Sequence, residues 1–120
     1  MVFAHIVGAK GEETATLYLQ SLGYVVHGRN VRFGRYEIDI VAYDPLEKIM
    51  VFAEVKTRSH HSENYPIHTA VHWRKRRSMR RAIDRWVEKE NYEGPGRTDV
   101  ICVHRGKVIE HLRDIGSDFF

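Results

Sequence analysis

At 120 residues, 42% hydrophobic and 29% charged, the chain has the size and composition of one soluble globular domain, 1–120, with no need of staples. Its single cysteine, Cys102, excludes an internal disulfide, and no apolar run approaches the roughly 18 residues that a membrane span requires. The net charge of +3 is unevenly spread: seven cations, Arg74-Lys75-Arg76-Arg77, Arg80-Arg81 and Arg85, crowd one stretch that holds one acid, Asp84.

The opening Met1–Lys10 is too short and too broken for a secretory signal, and with the lone cysteine this points to a cytoplasmic setting. Gly8 to Leu22 is predicted helical. Ala15, Leu19 and Leu22, with Tyr18 beside them, form an apolar stripe, and Gly23 suits the position just past the helix end. Projected one turn back, the stripe reaches Glu12. The helix dipole favours an acid there, but an inward face has no use for a solubilising charge, so Glu12 is a candidate site residue; Glu13 points outward.

Tyr24 to Arg32 is predicted as a strand, broken between His27 and Asn30, and Gly34-Arg35 as the turn out of it. The next stretch organises the rest. Glu37–Tyr43 and Ile49–Lys56 are apolar, β-branched arms around Asp44-Pro45-Leu46-Glu47-Lys48, whose proline cannot continue a ladder. The symmetric register pairs Tyr43 with Met50, Val41 with Phe52 and Asp39 with Glu54. Opposed Cβ atoms lie roughly 5 Å apart, and Lys56 follows about 6 to 7 Å further along the same face. Two carboxylates and an ammonium thus converge at the open end of an oily hairpin. Opposed like charges repel, and a divalent cation between them removes the conflict; hard oxygen ligands suit Mg²⁺ or Mn²⁺. An Asp39–Lys56 or Glu54–Lys56 ion pair on a solvated face is the plainer alternative.

Ser59 to Pro66 is predicted as a polar loop; its adjacent His60 and His61 lack the fixed spacing of a zinc site. A second helix is predicted from Thr69 to Glu90, burying Met79, Ala82, Ile83, Trp86 and Val87 and covering its other faces with cations. Basic side chains solubilise helices, but nearly uncompensated charge over three turns is self-repulsive and favours a polyanionic partner. Asn91–Gly96 ends this helix. Thr98–His104 and Lys107–Leu112 are two closing strands joined by Arg105-Gly106, and Phe119-Phe120 leave an apolar tail. The expected architecture is a mixed sheet flanked by helices in the order α-β-β-β-α-β-β, the basic helix crossing over to the fourth strand.

Gly11-Glu12-x-x-Ala15, Tyr18-Leu19, Gly23-Tyr24, Asn30-x-Arg32, Glu37-Ile38-Asp39, Val51-Phe52-x-Glu54-Val55-Lys56-x-Arg58 and Asp99-Val100 resemble the pattern of the YraN family over nearly the whole chain. These small bacterial proteins are similar to archaeal Holliday-junction resolvases and are assigned to the PD-(D/E)-x-K nuclease superfamily. The resemblance implies an α/β restriction-endonuclease-like core and a metal-dependent endonuclease acting on DNA. Asp39 and Glu54 match its acidic metal ligands, Lys56 its catalytic lysine, and Glu12 the helix-one glutamate that some members add. Tyr36 stands where the family usually has glycine. Phosphodiester hydrolysis needs a nucleophilic water, charge stabilisation at phosphorus and help for the leaving oxygen. Arg58, Arg74, Lys75, Arg77 and Arg81 would hold the DNA backbone through sequence-blind phosphate contacts, so structure rather than sequence is the expected basis of selection. Two rivals stand beside the nuclease: a non-catalytic nucleic-acid-binding module on the same fold, and a protein-interaction domain whose basic helix docks an acidic partner. No membrane partner is expected, and the oligomeric state, a homodimer included, stays open.

Overall fold

The computed structural model describes residues 2–58 and 73–115, with side chains over 10–57 and 77–115. The elements run α1 (Val2–Ser21), β1 (Val25–Phe33), β2 (Tyr36–Asp44), β3 (Ile49–Arg58), α2 (Trp73–Glu90), β4 (Gly96–His104) and β5 (Lys107–Leu112). The strands form one sheet in sequence order. β1, β2 and β3 make an antiparallel meander, β4 joins β3 in parallel through the α2 crossover, and β5 returns antiparallel.

The hairpin turn lies where proline and aspartate place it. The Asp44 carboxylate accepts hydrogen bonds from the Leu46 and Glu47 N–H groups at 3.0 and 3.4 Å, an Asx turn. Tyr43 then faces Met50 and Val41 faces Phe52, the expected register. Its inner residues fill two cores, one on each face. Against α1, Ala15 and Leu19 pack on Ile40, Ala42, Val51, Ala53, Ile101 and Val103. Against α2, Met79, Ala82 and Trp86 pack on Ile38, Val41, Met50 and Phe52, with Phe52 and Trp86 edge to face at 5.3 Å.

Both helices stop through the same backbone device. Gly23, at φ 91°, lets Tyr24 N–H reach Leu19 O while its own N–H reaches Gln20 O. Asn91, at φ 55°, does the same for α2, with Tyr92 N–H on Val87 O. Two expectations are corrected here. The first helix begins at Val2 rather than Gly8: Gly8 and Gly11 lie inside it, since a glycine in a helix costs only about 1 kcal/mol and does not by itself end one. Leu22 leaves the core and is 41% exposed, since the turn at Gly23 hands its place to Tyr24, which is 6% exposed. The second helix is described from Trp73; residues 69–72, the loop with His60 and His61, and the Phe119-Phe120 tail lie outside the described residues.

A buried arginine ties the turn end of the sheet. Arg97, at the start of β4, pairs with Asp99 at 3.0 Å and Asp44 at 3.2 Å, reaches Glu47, and donates to the Tyr24 hydroxyl. Burial opposes the charge on Arg97, but its bonds to Asp99 outweigh this and raise its pKa. Asp99 extends the network through His111 Nε2 at 2.7 Å, and His111 Nδ1 meets the Tyr18 hydroxyl at 2.9 Å. Burial pushes Asp99 up, yet the bonds from His111, Arg97 and the Asp114 N–H leave its carboxyl below the ordinary range.

Candidate functional site

At the other end of the hairpin the ladder stops one pair early. The last registered pair of β2 and β3 is Ile40 with Ala53; Asp39 and Glu54 come next. There the Asp39 side chain takes over from the backbone: its Oδ2 accepts the Val55 N–H at 2.8 Å. Ile38 packs in the α2-side core and Ile40 in the α1-side core, although residues two apart share a face in a regular strand. The alternation therefore slips at Asp39, and its carboxylate comes within reach of α1.

The helix supplies Glu12 through an unusually close approach. A Cβ on Gly11 would stand 2.0 Å from Thr57 Oγ1 and 3.3 Å from Thr57 Cβ, so only glycine lets α1 lie this near the end of β3. Carboxylate oxygens of Glu12, Glu37 and Asp39 consequently lie within 4.8 Å of one another. Burial raises the Glu12 pKa, Asp39 and Glu37 raise it further, and a hydrogen bond from Asn30 and the charge of Arg29 act the other way. Glu37 also meets Arg32 at 3.1 Å, a pair whose arginine is 68% exposed and therefore weak.

The candidates from the sequence sort as follows. Glu12 and Asp39 come together. Glu54 is buried, 3% exposed, and directly precedes Val55, whose N–H Asp39 accepts, but it stands outside the three-carboxylate group. Lys56 follows two residues on in β3 and is half-buried. Arg77 and Arg81 are exposed on α2. Arg58 ends β3, and Arg74 and Lys75 open α2; their side chains are outside the described ones.

Residues 11–103, most of the chain and all of this cluster, match the family described as uncharacterised protein family UPF0102. The chain belongs to the UPF0102 family. It is 40% identical over 102 residues to a UPF0102 protein of Oleidesulfovibrio alaskensis, covering 83% of this chain but about half, 49%, of that protein. It is 37% identical over 115 residues to one from Desulforamulus reducens, 90% of this chain and 93% of the other. A Chlorobium limicola relative is 34% identical over 119 residues, 92% and 91% of the two chains. The YraN resemblance drawn from the motifs is to this same family.

Two residues of this UPF0102 site were not picked out from the sequence. Glu37 sits two before Asp39, a spacing that puts both side chains on one face of a strand, and that signal was available. Asn30 adopts φ 50°, a conformation asparagine tolerates better than most residues, and turns its amide to Glu12. Its place at the start of the second strand-like run and in the Asn30-x-Arg32 pattern was the available hint. Among the described residues, no helix of the UPF0102 chain is long and apolar enough to cross a membrane.

Proposed function

We propose that the protein is a divalent-metal-dependent nuclease that hydrolyses phosphodiester bonds in DNA, selecting substrates by structure rather than base sequence. The observation that carries this is the gathering of Glu12, Glu37 and Asp39 within 4.8 Å, with Asp39 held by the backbone N–H between Glu54 and Lys56. Oxygen donors at such spacing suit Mg²⁺ or Mn²⁺; the Glu12 pKa is raised first by burial and then by the charges of Asp39 and Glu37, and a cation would relieve that second, repulsive part. Asp39 and Glu12, with Glu37 or Glu54, would hold the ion. When bound, a divalent cation supplies charge stabilisation to the phosphate and acidity to a coordinated water.

The chain's own groups do the rest. The Val55 N–H fixes the Asp39 carboxylate so that it need not reorganise during reaction. Lys56, a compact cation with rotatable donors, orients the attacking water and faces the scissile phosphate. Glu54, buried beside them, adds a further carboxyl oxygen donor next to Asp39. Arg77 and Arg81 on α2, together with Arg58, Arg74 and Lys75, grip the phosphate backbone.

The test is a Mg²⁺ and Mn²⁺ titration with labelled linear, single-stranded, flapped and four-way DNA, run beside Asp39→Asn. Metal-dependent cleavage that Asp39→Asn abolishes is the expected result. Binding with no cleavage of any substrate in either metal would leave a binding module in place of the enzyme.

A further inference from the structure

On the α2 side of β2, immediately before the carboxylates, the protein has a second charged recess. Arg35 and Tyr36, at the β1–β2 turn, and Arg77, Ser78 and Arg81, on α2, line it. Over the Tyr36 ring stand the guanidinium carbons of Arg35, Arg81 and Arg85, at 5.4, 6.0 and 5.5 Å from its centroid, so a base that stacks there takes the place of one of them. Arg35 Nη2 also donates to the Tyr36 hydroxyl at 3.4 Å. Like charges gathered in this way repel. Among the described residues no carboxylate pairs with Arg35, Arg81 or Arg85, whereas Arg80 of the same helix is paired with Asp84 at 3.2 Å. The hydrogen bond from Arg35, with the charges of Arg35, Arg81 and Arg85, lowers the Tyr36 pKa against the opposing effect of desolvation. The recess thus has a strongly positive field, donors in planar forks and one aromatic wall.

We propose that this recess is a subsite for one unpaired nucleotide, its phosphate held by Arg77 and Arg81 and its base stacked on Tyr36. The proposal rests on the DNA reading above and adds to it the class of structure selected: DNA with a single-stranded or splayed segment beside the cleavage point. Guanidinium forks match phosphate oxygens. An aromatic ring accepts any base, since every base has a π-face, but bases within a duplex keep their faces against one another. A wall of this kind therefore discriminates for unstacked nucleotides. Tyr36 precedes Asp39 by three residues, about 10 Å along β2 at the rise of a β-strand, but the recess faces α2 and the carboxylates face α1, so a nucleic-acid strand serving both has to round the edge of the sheet.

The experiment is fluorescence anisotropy without divalent metal, at one fixed salt concentration, using a blunt duplex, the same duplex with a single-stranded tail, and that tailed duplex with an abasic tail. Tyr36→Ala is expected to lose about 5- to 150-fold in affinity for the normal tail, and little for the blunt duplex. Tyr36→Phe keeps the ring and the affinity. Abasic tails should bind wild type as weakly as normal tails bind Tyr36→Ala, and the substitution should then cost nothing more. Tyr36 also touches the α2-side core, so Tyr36→Leu, which keeps bulk without a π-face, stands in should the alanine variant not fold. If wild type prefers the tail but holds the abasic tail equally well, or if Tyr36→Ala and Tyr36→Leu leave the tail preference intact, the subsite is wrong and the DNA reading survives. If wild type binds none of the three DNAs, both fall.

Discussion

Replacing Gly11 with alanine tests how the site is assembled, because two effects of opposite sign compete. In the interior of α1, alanine is favoured over glycine by roughly 1 kcal/mol. Against this, the new Cβ would meet Thr57 Oγ1 at 2.0 Å, Thr57 Cβ at 3.3 Å and Thr57 Cγ2 at 3.6 Å. Rotation of Thr57 gives little relief, because a β-branched side chain carries a heavy atom in two of its three staggered positions and Cβ does not move. Overpacking of this kind costs about 1–3 kcal/mol, so the net expectation is a loss of roughly 1 kcal/mol. That loss corresponds to a fall in Tm of about 4 °C for a domain of this size. Removing the obstruction should reverse the sign. In a Thr57→Ala background only the 3.3 Å contact remains, and Gly11→Ala becomes neutral or stabilising. Urea unfolding of the four proteins of the cycle gives the coupling, expected at about 1–3 kcal/mol. A Gly11→Ala protein more stable than wild type, or a coupling indistinguishable from zero, would refute the close approach and with it the placement of Glu12. A further readout is metal affinity, which should fall in Gly11→Ala because α1 must retreat from β3.

Four more substitutions test the carboxylate site and the Arg97 network. The folded-state pKa of Glu12 is raised, so its contribution favours the metal-free fold below the unfolded value of 4.5 and is lost as pH rises through the folded value; Glu12→Gln should flatten that loss in thermal melts and blunt the stabilisation by millimolar Mg²⁺, and an unchanged pH profile would contradict it. Lys56→Ala should leave DNA affinity nearly intact while slowing cleavage a hundredfold or more, about 2.7 kcal/mol in barrier; an equal loss of affinity would make Lys56 a phosphate contact instead. Asp99 titrates the other way: its pKa is lowered, so its stabilisation is present above the unfolded value of 3.8 and lost as pH falls through the folded value. Asp99→Asn should weaken that acid dependence, and Arg97→Met, which strands buried carboxylates, should cost about 3–5 kcal/mol in urea unfolding.

What could be read before folding was whatever local rules encode. The hairpin register follows from Pro45 and two apolar arms, the α1 stop from Gly23, and the buried face of α2 from the spacing of Met79, Ala82 and Trp86. Glu12 was found by extending a stripe, since an acid on an inward face violates its own pattern. Least legible was how Glu54 stands relative to the three-carboxylate group. An ideal ladder puts it opposite Asp39, but the strand loses its alternation at Asp39, and a local slip of that kind has no period to detect. Arg97 was invisible for another reason. Its partners Asp44, Glu47, Asp99 and Tyr24 are brought together by the turn and by the crossover, so no window of sequence holds them.

The parallel pairing of β3 with β4 also orders events in time. β1, β2 and β3 are joined by short turns and can zip sequentially, whereas β4 must wait for a long stretch of chain, α2 included, to close on itself. Until it docks, β3 is an edge, and its run Ile49–Val55 is an apolar template for any other strand in solution. Refolding should therefore show yields that fall with protein concentration. A short peptide copying Gly96–His104 would be expected to intercept the early intermediate and hold it there.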